Sequence, residues 1–315
     1  MERFLHSDHS REVDKRDGDS ERLSSSDCCI LNNGPGAWAF EELARSLSSA
    51  LWVDISATPR RYNYLLNLED HPIPSRGELF IPYSSIILAA DKRLLAERFF
   101  YHQVPIPRTW LVETVEEIDA IRKLNREVEL CLKYPIGCGG SGHRLLTNDL
   151  TIPKRWPRPL LIQEFIRLER PEVYRTFGIG GEIFGWVARR YRLEQIEIAP
   201  SPWVAHARGA VYELEHGPPS QVALTAKRAL QATDLLASFG CVDLLQRPDG
   251  EWVVLEVGTD GVFNHVDRDI GVPEFERELH SRLATAFWSR TATPPWHPGD
   301  WSSRSINSET TDIYD

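Results

Sequence analysis

Asp243 and Glu256 are the two residues of this chain best placed to act together. They lie in VDLLQRPDGEWVVLEV, where apolar runs flank Pro248-Asp249-Gly250, and Asp-Gly between hydrophobic runs is a strong β-hairpin signal. With Asp249 and Gly250 as the two loop residues, Pro248 pairs with Glu251. Counting outward then sets Asp243 opposite Glu256, with Leu245 and Val254 between them, and a four-residue loop gives the same register. Opposed residues on one face lie about 4.5–5.5 Å apart, and like charges there repel. A divalent cation reverses the sign of that interaction, and carboxylate oxygens beside phosphate oxygens are the usual seat of Mg²⁺. Without a cation the pair reads as two solvated acids on an exposed strand face.

A second group surrounds Lys133, which ends an apolar run and is followed by Tyr134-Pro135-Ile136-Gly137-Cys138-Gly139-Gly140-Ser141-Gly142. Glycines let backbone N–H groups converge on phosphate oxygens, and a neighbouring lysine supplies a point charge. This is not a Walker loop, because the lysine precedes the glycines and no Gly-Lys-Ser/Thr follows. A plain turn between two strands carries similar glycines. His206 and His265 have no second histidine at metal spacing and read as polar surface groups.

The elements that must position these groups follow from periodicity. CCILNN reads as a buried strand, Gly34-Pro35-Gly36 as a turn, 38–51 as an amphipathic helix and LWVDIS as a second strand, which together open a small parallel α/β unit. The stretch from Pro59 to Pro82 reads as an irregular connection ending in the strand-like ELFIPY. Asp91 caps a helix, DKRLLAERFFYHQ, with Leu94, Leu95, Phe99 and His102 at helical spacing, and Pro105 and Pro107 stop it. Strand TWLVE, helix VEEIDAIRKLN and strand ELCLKYP lead to the glycine loop. LLIQEF is a further strand, and YRTFGIGGEIFGWVARR reads as strand with a glycine turn. A helix over about 221–239, with Val222, Ala226, Ala229, Leu230 and Leu236 inward, precedes the hairpin.

The 315 residues are 42% hydrophobic and 26% charged, ample for a soluble core in two or three units. A net charge of −10 argues against a nucleic-acid polyanion as partner. No apolar run reaches the roughly 18 residues of a membrane span. The N-terminal stretch lacks the apolar core of a signal peptide, which sets a cytoplasmic default. Five cysteines without a CxxC pair indicate neither zinc site nor disulfide framework, and Cys138 alone stands out for its glycine neighbours.

Taken in order, Asp91-Lys92 on a helix, PIPRTW, Lys133 with its glycine loop, LLIQEFI, an arginine ending a strand, VDLL and LEV resemble the ATP-grasp superfamily. The likeness is nearest to its RimK-like and D-alanine–D-alanine ligase branch and runs from about Phe80 to Gly271. It implies an α/β (α+β grasp) fold: a small N-terminal parallel α/β domain, 27–85, then a two-subdomain ATP-grasp domain, 86–290. A leader, 1–26, and a polar tail, 291–315, flank them. By the same resemblance Lys92 and Lys133 reach nucleotide phosphates under the loop holding Gly139, Gly140 and Gly142. Gln163, Glu164, Phe165 and Ile166 form the linker whose backbone meets adenine, and Glu172 binds ribose, with Glu169 as the alternative. Arg189 steadies the transferring phosphate, Arg208 belongs to the acceptor side, and Asp243 and Glu256 hold the metal. Read singly, Lys92 is a solvated helix residue and the acids and arginines are ordinary surface pairs.

The implied activity is ATP-dependent carboxylate–amine ligation through an acyl-phosphate, with Mg²⁺, or Mn²⁺ in its place, and ADP and phosphate released. The substrates are small-molecule or peptide carboxylates and amines, with no nucleic acid or membrane partner, and a homodimer is left open. The alternative is an ATP-grasp-type nucleotide-binding module or small-molecule kinase without ligase chemistry. An unrelated α/β oxidoreductase is disfavoured, since GxGxxG is missing after the first strand. Two departures stand out. Gly258 replaces the asparagine expected two residues after Glu256, so Asn264 is the preferred third ligand, ahead of Asp260 and Asp267, and a single firmly held Mg²⁺ is equally allowed. In PSPWVAHARGA, Trp203, Val204 and Ala205 occupy positions that are polar in the family, while Arg208-Gly209 is kept. With Trp52, Tyr62 and Tyr64 they suggest a substrate with a hydrophobic part.

Overall fold

The computed structural model describes residues 23–32, 38–67, 77–137, 142–147, 152–192, 202–259 and 269–290. Leader residues 1–22, the 34–36 turn, Cys138, Gly139, Gly140, Asp260, Asn264, His265, Asp267 and the tail lie outside them.

Three sheets form the frame. The first is parallel, in the order β2 (Asp54–Ser56), β1 (Cys28–Asn32), β3 (Tyr62–Asn67), β4 (Glu78–Leu79). Helix α1 (Trp38–Leu51) lays Leu43, Ala44, Leu47 and Leu51 on the core, the i, i+4 stripe of an amphipathic helix. Strand β3 falls inside the stretch expected to be irregular: YNYLLN pairs with β1 and is buried on both faces from Tyr62 to Leu65, while its polar flanks hide it. The strand expected at ELFIPY shrinks to two residues. Helix α2 (Tyr83–Ala90), which no capping residue announced, follows it.

Asp91 caps α3 (Lys92–Tyr101), accepting from Arg93 N at 2.9 Å. Leu95 and Phe99 are buried as expected, but Leu94 is 42% exposed and His102 faces solvent. The helix ends before Pro105, because Gln103 takes a left-handed conformation and Val104 N donates to Phe99 O.

The second sheet is antiparallel, in the order β5 (Thr109–Val112), β8 (Leu160–Glu164), β6 (Leu130–Lys133), β7 (His143–Leu145). Its outer face (Val112, Leu130, Leu132, Leu160, Ile162) packs with Ile118 of α4 (Val115–Leu124) into a core of its own. Thr114 and Glu117 form a capping box at the start of α4.

The third sheet is antiparallel, in the order β11 (Val211–Leu214), β10 (Glu182–Arg190), β9 (Glu172–Ile179), β12 (Phe239–Gln246), β13 (Trp252–Gly258). Val222, Ala226, Ala229 and Leu230 of α5 (Ser220–Ala232) are buried in its core. That helix stops well before Phe239: Asp234 adopts φ 56° and Leu235 N returns to Leu230 O at 2.9 Å, a Schellman ending. Helix α6 (Pro273–Ser289) closes the fold against the first sheet, with Trp288 Nε1 donating to Leu51 O at 2.9 Å and Phe287 packed on Tyr62 and Phe80. The first sheet, α6 and the third sheet share one hydrophobic cluster.

Tyr62 and Tyr64 are 1% and 2% exposed within that cluster, so they fill the core and line no substrate pocket. Cys28, Cys29, Cys131 and Cys241 are buried free thiols. No helix among the described residues is long and apolar enough to cross a membrane.

Candidate active site

The inner face of the second sheet opposes the β12–β13 hairpin across a narrow cavity. Lys92, Leu95, Lys133, Leu161, Gln163 and Leu255 line it. Alternation explains the second sheet's share: Cys131 and Lys133 on β6 share a face with Gln163 and Leu161, their partners on β8, while the intervening leucines face α4. Burial holds the Lys133 ammonium below its ordinary pKa. Lys92 pushes the same way, whereas Cys131 and Glu256 oppose it. Lys92, Lys133 and Glu256 therefore share one field although they come from three different elements. Lys92 is fixed twice, its Nζ donating to Gly137 O at 2.5 Å and its backbone N to Pro135 O at 2.9 Å.

His143 sits directly across from Lys133 on β7. Burial first, then Lys133, Lys92 and Arg208, push its pKa down to about 2, so the imidazole is neutral. Its ring meets Trp203 edge-on at 5.2 Å, and Trp203 meets Phe165 at 4.9 Å. The Trp203 carbonyl accepts from Tyr191 OH at 2.8 Å. Trp203 thus joins the linker to the strand after the glycine loop. Arg208, in a short 3₁₀ turn closed by Gly209 at φ 91°, is exposed.

Asp243 and Glu256 are paired, as counted from the sequence, but by a different route. The loop has three residues, Pro248 to Gly250, with Gly250 at φ 93° and Arg247 N donating to Glu251 O at 2.8 Å. Leu245 therefore pairs with Val253 and Leu244 with Val254. A bulge at Leu255 restores the pairing of Asp243 with Glu256.

Asp243 is 1% exposed and its carboxylate already has partners. Arg175 Nε and Nη2 donate to Oδ1 at 2.6 Å and Oδ2 at 2.9 Å, and Arg189 Nη2 donates to Oδ2 at 2.9 Å. Burial opposes ionisation, but the Arg175 and Arg189 charges, then hydrogen bonds from Arg175 and the Glu256 carboxyl, bring its pKa down to about 2. Arg189 Nη1 also donates to Tyr212 OH at 3.1 Å, and both guanidinium carbons lie 5.7 Å from the Tyr212 ring.

The linker residues are anchored by their side chains. Gln163 Nε2 donates to Thr109 Oγ1 at 2.9 Å. Glu164 accepts both Nη groups of Arg247 at 2.8 Å and Arg108 N at 3.1 Å. Phe165 N donates to Glu129 O at 2.7 Å, and Ile166 follows half-buried. Glu172 is not brought into the group. Being three residues from Arg175, it lies on the other face of β9, where Tyr174 OH donates to it at 2.7 Å and Arg190 approaches to 3.6 Å. Gly142 is half-buried beside Tyr134.

The structure adds three residues that sequence reasoning passed over: Arg175, His143 and Arg247. Arg175 had one signal, since it shares parity with Val173 and Phe177 on a strand where an inward cation requires an anion.

No family model matches this chain, and no curated protein does. Solved structures do. The ATP-grasp ligase PsnB, complexed with a phosphomimetic variant of its minimal precursor, Mg and ADP, superposes with a TM-score of 0.60 at 13% identity, covering 84% of this chain and 99% of that one. D-Cycloserine synthetase DcsG gives 0.61 at 14%, with the same coverage. D-Alanine–D-alanine ligase from Bacillus anthracis complexed with ATP gives 0.58 at 14%, covering 84% and 95%. Likeness at such identities is likeness of fold, and the fold of this chain is ATP-grasp.

Proposed function

We propose that this chain is an ATP-dependent ligase that joins a carboxylate to an amine. The observation that carries the reading is the meeting of Lys92 and Lys133 in one cavity against the β12–β13 hairpin, with Glu256 of that hairpin in the field of both Lys133 and the buried Arg189. The solved ligases of the same fold, named with peptide precursors or small products, support substrates of either size.

The residues fit a single divalent cation better than a bridged pair. Glu256 is half-buried in the field of Lys133 and Arg189 and within hydrogen-bond reach of Asp243, both of whose oxygens are engaged by arginines. Among the described residues no three acids, histidines or cysteines cluster for a metal, and Asn264 lies outside them. A cation on Glu256, Mg²⁺ or Mn²⁺, would supply charge neutralisation at the phosphates. Lys92 and Lys133 hold the nucleotide phosphates, and the linker 163–166 meets the base. The substrate carboxylate attacks the γ-phosphorus as its bond to ADP breaks, and Arg175 and Arg189 stabilise the charge on the transferring group. The amine then attacks the acyl-phosphate carbonyl, phosphate leaves, and the nitrogen gives up its proton to solvent.

The second reading, a nucleotide-binding module, is favoured by Gly258 and by the engagement of Asp243. ADP release measured over paired carboxylate, peptide and amine libraries separates the two. The ligase predicts release that depends on both partners and is lost in Glu256→Gln, while ATP binding without amine-dependent release sinks it.

A further inference from the structure

Helices α2 and α3 turn an apolar face to solvent. Between residues 83 and 101, Ile87, Leu94, Phe100 and Tyr101 are exposed, the last two at 84% and 81%, and among the described residues no other stretch of that length exposes as many large apolar side chains. An apolar patch of this kind on a soluble surface marks a contact face. A groove of about 460 Å³ runs along it, lined by Ile87 and Leu88 of α2 and by Leu94, Glu97, Arg98 and Tyr101 of α3. The four α3 residues stand at i, i+3, i+4 and i+7, which is one stripe of a helix.

That stripe reads apolar, acid, base, apolar, so reversed it is its own complement. A two-fold axis through its middle sets Glu97 against Arg98 of the second copy and Leu94 against Tyr101 of the second copy. This is the isologous arrangement, in which residue i meets j and j meets i. A partner surface of one sign, acidic or basic, would leave either Glu97 or Arg98 facing a like charge. The four exposed apolar side chains offer roughly 500 Å² per copy, and the polar rim of the groove brings that toward the roughly 800 Å² a side of a standard interface. The opposite face of α3, with Lys92, Leu95, Ala96 and Phe99, lines the cavity between the second sheet and the hairpin.

We infer that a second copy of this chain docks on the α2–α3 face, with the Leu94-Glu97-Arg98-Tyr101 stripes antiparallel across a two-fold axis. The apolar side chains supply the burial, and the two symmetry-related ion pairs, exposed and individually weak, fix the register. Each copy then braces from outside the helix that carries the other's Lys92. The pairing is independent of the ligase reading, and ADP release has no part in its test.

The test is sedimentation equilibrium of the full chain over about 1–100 µM. The native chain is expected to be dimeric at about 10 µM. Leu94→Glu, which sets a carboxylate against Tyr101 of the second copy, should weaken association about tenfold or more. Glu97→Arg alone and Arg98→Glu alone should each weaken it about tenfold, because both pairs across the axis become like-charged. Glu97 and Arg98 are exposed, so these two variants keep the fold. Mixed in equal amounts they should associate with each other at near-native strength, and the double variant Glu97→Arg/Arg98→Glu should recover the homodimer. A native chain that stays monomeric throughout the range overturns the inference, whether another protein or other residues of this chain cover the groove. A dimer that all three single variants leave unchanged puts the contact on another surface and overturns it as well. So does a mixture that associates no better than either variant alone, since only a two-fold contact is rescued by that exchange.

Discussion

His280 shows how burial alone sets the behaviour of a side chain. It lies on α6, 6% exposed, with Ser46 Oγ 3.5 Å from Nε2, and desolvation lowers its pKa to about 4. A histidine whose folded pKa is depressed binds its proton more readily in the unfolded chain. The stability it contributes is therefore complete above the unfolded value near 6.5 and is lost as pH falls from there toward about 4. Between pH 7.5 and pH 5 the loss amounts to about 2 kcal/mol. His280→Gln should flatten that part of the curve, read as urea midpoints across the range, and an unchanged slope would contradict the assignment. His143, held neutral in the cleft, adds to the same acid limb and is left in place by that variant. Neither role could be read from sequence, where a histidine carries no mark of its burial. Asp243 and Glu256 were legible as a facing pair because turn chemistry and alternation are local. That arginines hold Asp243 was not, since Arg175 and Arg189 lie 68 and 54 residues away and only the strand order brings them in.

At the scale of elements, the hairpin was found for a sound reason and counted by a faulty one. Asp-Gly located the turn, but the three-residue loop and the Leu255 bulge each shift register by one residue and cancel. Strands β3 and β11 went unread: the first is flanked by turn-forming residues, and the second is a short edge with Glu213 and Leu214 exposed. Helix α5 was legible because its apolar stripe has to meet a sheet, and the contact is close enough to test. Gly178 of β9 lies under Leu230, and a Cβ there would overlap Leu230 Cδ1. Gly240 of β12 meets the same side chain, with Cδ2 2.8 Å from where its Cβ would sit. Gly178→Ala should overpack this seam and destabilise the fold by about 1–3 kcal/mol. Adding Leu230→Ala should recover part of that loss in a double-mutant cycle of urea midpoints. Strict additivity would mean that the helix does not press on the sheet at Gly178.

The whole molecule divides unevenly. The first sheet, α6 and the third sheet bury one continuous cluster, whereas the second sheet keeps a separate core with α4. Between them lies the cavity with its lysines, walled otherwise mainly by apolar side chains such as Leu95, Leu161 and Leu255. A polar tie joins the two parts at Glu164 and Arg247: two 2.8 Å hydrogen bonds from the hairpin turn to the end of β8, both side chains largely shielded, with Arg108 N on the same carboxylate. A backbone bond from Val254 N to Pro105 O at 2.8 Å closes the edge of β13 nearby. Hydrogen bonds to charged groups contribute about 1.5–3 kcal/mol each when shielded, and solvent access reduces that. Arg247→Ala should thus free the second sheet without loosening the shared core. Amides of β5, β6 and β8 should exchange about tenfold faster, and those of β1 and β12 at their native rate. Equal acceleration everywhere would show that the second sheet does not open on its own. The Glu164–Arg247 contact would then be only one tie among many, and the cleft that brings Lys133 to Glu256 would be a fixed property of the fold.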